Sequence, residues 1–179
     1  MADFNQTTIE YPLGACIHPG HHAVATHNLA EYAVLNYAAA AAPAANRAIY
    51  IPFNVDHEVT AKQMFWENGG VAGTTDVGIY DGYSLARLIS STATTNAGSI
   101  QIANITDTAF GPGLFYMAWL PSTVTTQTYW SAAIVAASLR CAGVQQQAVG
   151  SATLPATATF AAVASAFLPL VGISFQATM

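Results

Sequence analysis

Residues 75–119 constrain the fold most. They read as alternating segments cut by turn formers: TDVGIYDG, SLARLISST, SIQIANIT and GLFYMAWL. A period of two sends successive side chains to opposite faces of a strand, so one face can be buried while the other meets solvent. In TDVGIYD, Val77 and Ile79 share a face with Asp81, and Asp76, Gly78 and Tyr80 take the other. Asp81-Gly82 marks a turn, residues 84–91 return, STATTNAG forms a loop, and Ile100 and Ile102 begin another alternating strand. Residues 107–113, DTAFGPG, read as a connection closed by a tight turn, with Pro112 presetting φ and the flanking glycines accepting positive φ. The strand after it is apolar on both sides, Leu114, Tyr116 and Ala118 against Phe115, Met117 and Trp119. Such a strand is central in its fold or lies beneath a neighbouring subunit.

The same pattern continues in both directions. Upstream, Ile49, Ile51, Phe53 and Val55 alternate with Tyr50, Pro52 and Asn54. Pro52 donates no ladder hydrogen bond, which predicts an edge strand or a bulge. VTAKQMFWEN is a second strand, ended by Asn68-Gly69-Gly70. Downstream, PSTVTTQT is a polar loop and YWSAAIVAASLRCAG predicts a short helix. Its N-cap is Ser131, Ile134, Ala137 and Cys141 lie near one face, Arg140 sits in the last turn, and Gly143 closes the end. Residues 144–163 read as a low-complexity loop. AFLPLVGISFQ is the last strand, with Phe167, Val171, Ile173 and Phe175 on one face. Six to eight strands, one helical insertion and no strand–helix alternation predict an all-β, antiparallel, jelly-roll-like β-sandwich.

The first 43 residues lack this pattern. Residues 1–26 have no clean period, with a short strand expected around 15–18. In residues 27–46, Asn28 and Glu31 match a capping box and the alanines favour a helix ended by Pro43, while Tyr-Ala-Val-Leu reads equally well as a strand. The organisation expected is an N-terminal arm, residues 1–43, and a β-sandwich domain, residues 44–179. Nearly uncharged, the arm is expected to be ordered by contact with a neighbouring subunit or a larger particle.

Charge narrows the choice of partners. Asp, Glu, Lys and Arg together make up 7% of the chain and hydrophobic residues 53%, whereas roughly a quarter of an ordinary soluble protein is charged. So little charge predicts a homo-oligomer whose copies bury much of one another's surface. Arg47, Lys62, Arg87 and Arg140 are scattered, so no basic stripe for nucleic acid is expected. The first ten residues carry no secretory signal pattern, and no apolar run reaches the length of a membrane span. Cys16 and Cys141 are expected to be reduced, buried thiols.

No segment carries a recognisable catalytic motif. There is no GxSxG elbow and no phosphate-binding glycine loop, and the nine acids are scattered singly, so the chain is expected not to be an enzyme. His18, His21 and His22, with His27 nearby, could bind zinc or nickel. No carboxylate lies at a ligand-like spacing, and the polar turn of an arm is the favoured reading, so neither a metal nor another cofactor is expected. Asp76, Asp81 and Asp107 could hold calcium but read better as turn residues. Among aromatic residues able to stack on sugar rings, Tyr83 in a turn and the Tyr129-Trp130 pair after a loop are better placed than Trp66 or Trp119, for which core burial is expected.

The segments DVGIYDGYSLARLISST and SIQIANITDTAFGPGLFYMAW resemble a module common in phage virion proteins, the jelly-roll-like sandwiches of tail, neck and head-fibre or head-decoration proteins. AANRAIYIPF resembles the first strand of such modules and ASAFLPLVGISF the last, so the resemblance spans residues 44–176. It implies a non-enzymatic structural protein of a bacteriophage particle, assembled in the host cytoplasm. The protein would be a homo-oligomer, with a trimer favoured, in contact with other capsid or tail proteins. The alternative is a carbohydrate-binding module for host recognition, because such modules share the same strand grammar.

Overall fold

A computed structural model describes residues 16–17, 23–25, 37–55, 57–124, 126–130 and 135–175. Strand β1 is Cys16–Ile17, β2 Ala23–Ala25, β3 Tyr37–Ala41, β4 Arg47–Val55 and β5 Val59–Asn68. β6 is Thr74–Asp81, β7 Arg87–Ser90, β8 Thr94–Thr95, β9 Ser99–Phe110, β10 Gly113–Pro121 and β11 Thr126–Trp130. Helix α1 is Ala136–Cys141, followed by β12 Gln145–Ala148, β13 Ala161–Ala162 and β14 Val171–Ser174. The strands form two antiparallel sheets, so the chain is an all-β sandwich. The first sheet runs β1-β2-β14-β5-β11-β3 with β9 also on β5, and the second runs β13-β12-β4-β10-β6-β7 with β8 also on β6.

One long ribbon organises both sheets. β4 pairs with β10 and β5 pairs with β9, with Val55 opposite Gly113 and Val59 opposite Phe110. The ribbon therefore turns a corner at residues 57–58 and 111–112 and passes from one sheet into the other. The two chains touch at that corner. A β-carbon on Gly111 would lie 2.6 Å from the His57 carbonyl oxygen, and Gly111 holds φ +102°, a backbone conformation that side chains disfavour. Gly113, at φ +145°, launches β10, which runs between β4 and β6.

The inner faces carry the alternation read from the sequence. Ile49, Ile51, Phe53 and Val55 of β4, with Val77 and Ile79 of β6, enclose the core with Met64 and Trp66 of β5 and Val171 and Ile173 of β14. Phe53, Phe110 and Phe115 stack edge-on or tilted at the corner end. Each large side chain buried here contributes about 1.5–3 kcal/mol.

β10 is apolar on both sides because the second sheet is covered on both faces. Its outer face, with Tyr50, Tyr80, Ala118 and Leu120, packs against Leu154 and Ala158. The covering segment, residues 149–160, belongs to the stretch expected to be a featureless loop. Instead, Gln145–Ala148 pairs with β4, and Ala161–Ala162 pairs with β12. Composition hides this because glutamine and alanine carry no period, and the pairing is fixed by long-range partners such as the Tyr50 hydroxyl donating to Gln147 Oε1 at 2.8 Å.

Other boundaries also differ from the sequence reading. Residues 107–110 continue β9, so the connection shrinks to Gly111-Pro112. STATTNAG contains β8, and PSTVTTQT runs into β11. Fourteen strands stand among the described residues where alternation predicts six to eight, because half of them are two to four residues long, too short to show a period. Pro52 lies in an inner strand, but the β12 ladder ends at Tyr50, and among the described residues no strand pairs with that side of β4 beyond it.

Tyr37–Ala41 is a strand paired with β11, where the alanines favoured a helix; Tyr-Ala-Val-Leu, residues 32–35, lies outside the described residues. Pairing outweighs the helical preference of alanine. β1, β2 and β3 all arise within residues 1–43, and β2 joins β14. Helix α1 begins at Ala136 with Val135 as its N-cap. Tyr129 and Trp130 belong to β11, and Ser131 and Ile134 lie outside the described residues. Leu139 is the helix's buried residue, whereas Ala137 and Cys141 are exposed. At the C-terminal end Gly143 N–H donates to Arg140 and Val144 N–H to Leu139, the paired bonds of a Schellman cap.

Candidate functional site

The best-defined polar cluster is buried under the covering segment. Asp76 alternates onto the outer face of β6 with Tyr80, and both are fully buried. The Leu154 N–H donates to Asp76 Oδ2 at 2.9 Å, and the Ser91 hydroxyl lies 3.5 Å from Oδ1. The Arg87 guanidinium donates to the Leu154 carbonyl, and the Tyr80 hydroxyl donates to the Pro155 carbonyl at 2.6 Å. The Thr159 N–H reaches the same Gln147 Oε1 that accepts from Tyr50, at 2.9 Å. Burial pushes the Asp76 carboxyl above its ordinary value, opposed by the Leu154 N–H and the Arg87 charge. Burial also pushes the Tyr50 phenol to about 12 and raises Tyr80. Asp76, Arg87, Tyr80 and Gln147 fasten residues 149–160 to the sheet through that segment's backbone, while Tyr50 and Ser91 hold Gln147 and Asp76 in place.

The residues singled out in the sequence do not converge. Tyr83 is 83% exposed at the β6–β7 turn. The turn is built by Asp81, whose Oδ1 accepts the Tyr83 N–H at 3.1 Å, the Ser84 N–H at 2.7 Å and the Ser84 hydroxyl at 2.8 Å. Those bonds, the Ser84 ones foremost, hold the Asp81 carboxyl below its ordinary value. Tyr129 and Trp130 stand opposite Ala38 and Tyr37 in the β11–β3 ladder, and their side chains lie outside the described residues. His18, His21, His22 and His27 also lie outside them.

Trp66 and Trp119 are buried between the sheets, as expected of core residues. Asp107 forms an ion pair with Lys62. Among the described residues no three His, Cys, Asp or Glu side chains come together as a metal site. Cys141 is a free thiol but exposed, contrary to the buried thiol expected, because α1 turns Leu139 inward instead.

One further feature escaped the sequence reading. From Ile100 to Thr106 the burial of β9 alternates, and the exposed row is Ile100, Ile102, Asn104 and Thr106. Ile100 is 48% and Ile102 47% exposed. Alternation marks the strand but not which face is turned outward. Among the described residues β9 pairs with β5 alone and no strand is hydrogen-bonded to its other edge, although β7 of the second sheet packs close by.

No protein family, curated protein or solved structure matches the chain.

Proposed function

We propose that this chain is a non-enzymatic structural component of a bacteriophage virion, a homo-oligomer exposed on the capsid as a decoration or head fibre, or on the tail or neck. A trimer is the favoured state, and residues 1–43 supply the anchor to other virion proteins. The observation that carries this reading is a double-layered sandwich that exposes Leu88, Ile100 and Ile102 in a chain with only 4 Lys and Arg and 9 Asp and Glu. A surface so poor in charge favours assembly over a solitary monomer. The buried polar cluster supports a mechanical role, since its hydrogen bonds tie distant segments of the one chain together.

Mass spectrometry of purified particles tests the proposal. The expected result is this chain among the virion proteins, at a copy number set by capsid or tail symmetry. Its absence from the particles would overturn the reading.

A second reading rests on Tyr83, whose exposed ring at a rigid turn suits stacking on a sugar. In that reading the module binds a host-surface carbohydrate. A glycan array should then show binding that Tyr83→Ala abolishes, and an array blank with the wild-type protein would sink it.

A further inference from the structure

We propose that the open edge of β9 is a self-association site, where β9 of a second copy pairs antiparallel across a two-fold axis centred on Gln101. The inference rests on the oligomeric part of the reading above and adds the surface that mediates it.

The sequence of β9 leaves residues 99–104 of its edge unguarded. Sheet edges that must stay unpaired usually carry lysine, proline, a bulge or a covering segment. Ser99–Phe110 contains neither lysine nor proline, and its single charge, Asp107, is paired with Lys62 of β5. Asn68 to Gln63 of β5 face Ser99 to Asn104 of β9 in unbroken register. The register then shifts, with Lys62 alone facing residues 105–107. That irregularity limits any added strand to the regular part of β9, residues 99–104.

Self-complementarity selects a second copy as the occupant. Directly opposed residues in an antiparallel pair share a face, so a two-fold axis must pass through a residue. With Gln101 on the axis, Ile100 of each copy faces Ile102 of the other, and Ser99 faces Ala103. Four half-exposed isoleucines become one apolar row, and no charged residue meets its like. The same contact could join two monomers or two larger oligomers, because a two-fold contact closes on itself.

Sedimentation of the full chain at micromolar concentration tests the site. Ile100→Lys/Ile102→Lys places four ammonium groups where the row would form, and should halve the sedimenting mass while leaving the near-ultraviolet circular dichroism unchanged. Tyr83→Lys, at an exposed turn, should leave the mass as it is. An unchanged mass in the double variant, or a wild-type monomer, would overturn the proposal.

A mixture of Ile100→Cys and Ile102→Cys chains, each lacking Cys16 and Cys141, should form an oxidised dimer that neither variant forms alone. Equal cross-linking by a single variant would refute the register. A halved mass with the chain absent from virions would refute the virion reading and keep this contact. A virion protein whose mass the lysines do not change would do the reverse.

Discussion

The backbone N–H of Leu154 donates to the buried carboxylate of Asp76 at 2.9 Å, joining residues 78 positions apart. With the Arg87 guanidinium on the Leu154 carbonyl, both polar groups of this residue are satisfied beneath the surface. This is how a segment with little regular structure lies against a sheet without orphaned backbone groups.

Removing that acceptor should loosen the cover. Asp76→Ala leaves the Leu154 N–H buried without a partner, at a cost of about 1–3 kcal/mol. Urea unfolding would measure it, and an unchanged midpoint would show that the Asp76–Leu154 bond contributes nothing to stability.

The same carboxylate gives a pH signature. Its pKa is raised by burial, so between the ordinary and raised values the folded chain holds more protons than the unfolded one. Stability from this group is complete below the ordinary carboxylate range and is lost as pH rises through the raised value. Asp76→Asn keeps an acceptor and removes the titration. Thermal melts at stepped pH should therefore show a flatter profile for Asp76→Asn than for the wild type across that window, and parallel profiles would contradict the assignment.

The ribbon corner separates two glycines that look alike in the sequence. At Gly111 a methyl group meets the His57 carbonyl as well as an unfavourable φ, whereas at Gly113 it meets only the Phe115 ring at 3.8 Å. Gly113→Ala should cost about 1–3 kcal/mol from φ alone. Gly111→Ala should cost more, since overpacking adds about 1–3 kcal/mol. Melting of the two variants side by side checks the order, and the reverse order would show that the corner relaxes freely.

Tyr50 and Tyr80, packed edge-on with centroids 5.2 Å apart, should resist ionisation. Burial pushes Tyr50 to about 12 and raises Tyr80, so the unfolded chain loses these protons first and stability falls as pH rises above about 10. Phenolate absorbance should therefore contain a late component that appears with unfolding. In Tyr80→Phe that component should shrink, and loss of the bond to Pro155 should cost about 1 kcal/mol. An early, fully reversible titration of all tyrosines would refute the buried pair.

The local pattern alone determined the main strands and their inner faces. Period two in IYIPFNV and TDVGIYD assigns Ile49, Phe53, Val77 and Ile79 to a buried face, and Asp81-Gly82 announces its turn. These signals are legible because each lies within a few residues of chain, where pleat geometry and turn chemistry act directly. The same pattern places Asp76 and Tyr80 together on one face but says nothing of what covers them. Only the tertiary structure decided that residues 149–160 lie there, that Gln145–Ala148 and Tyr37–Ala41 are strands, and that the exposed row of β9 holds Ile100 and Ile102. Those outcomes depend on partners many tens of residues away, and the free energy of a long-range pairing leaves no period in the segment that accepts it.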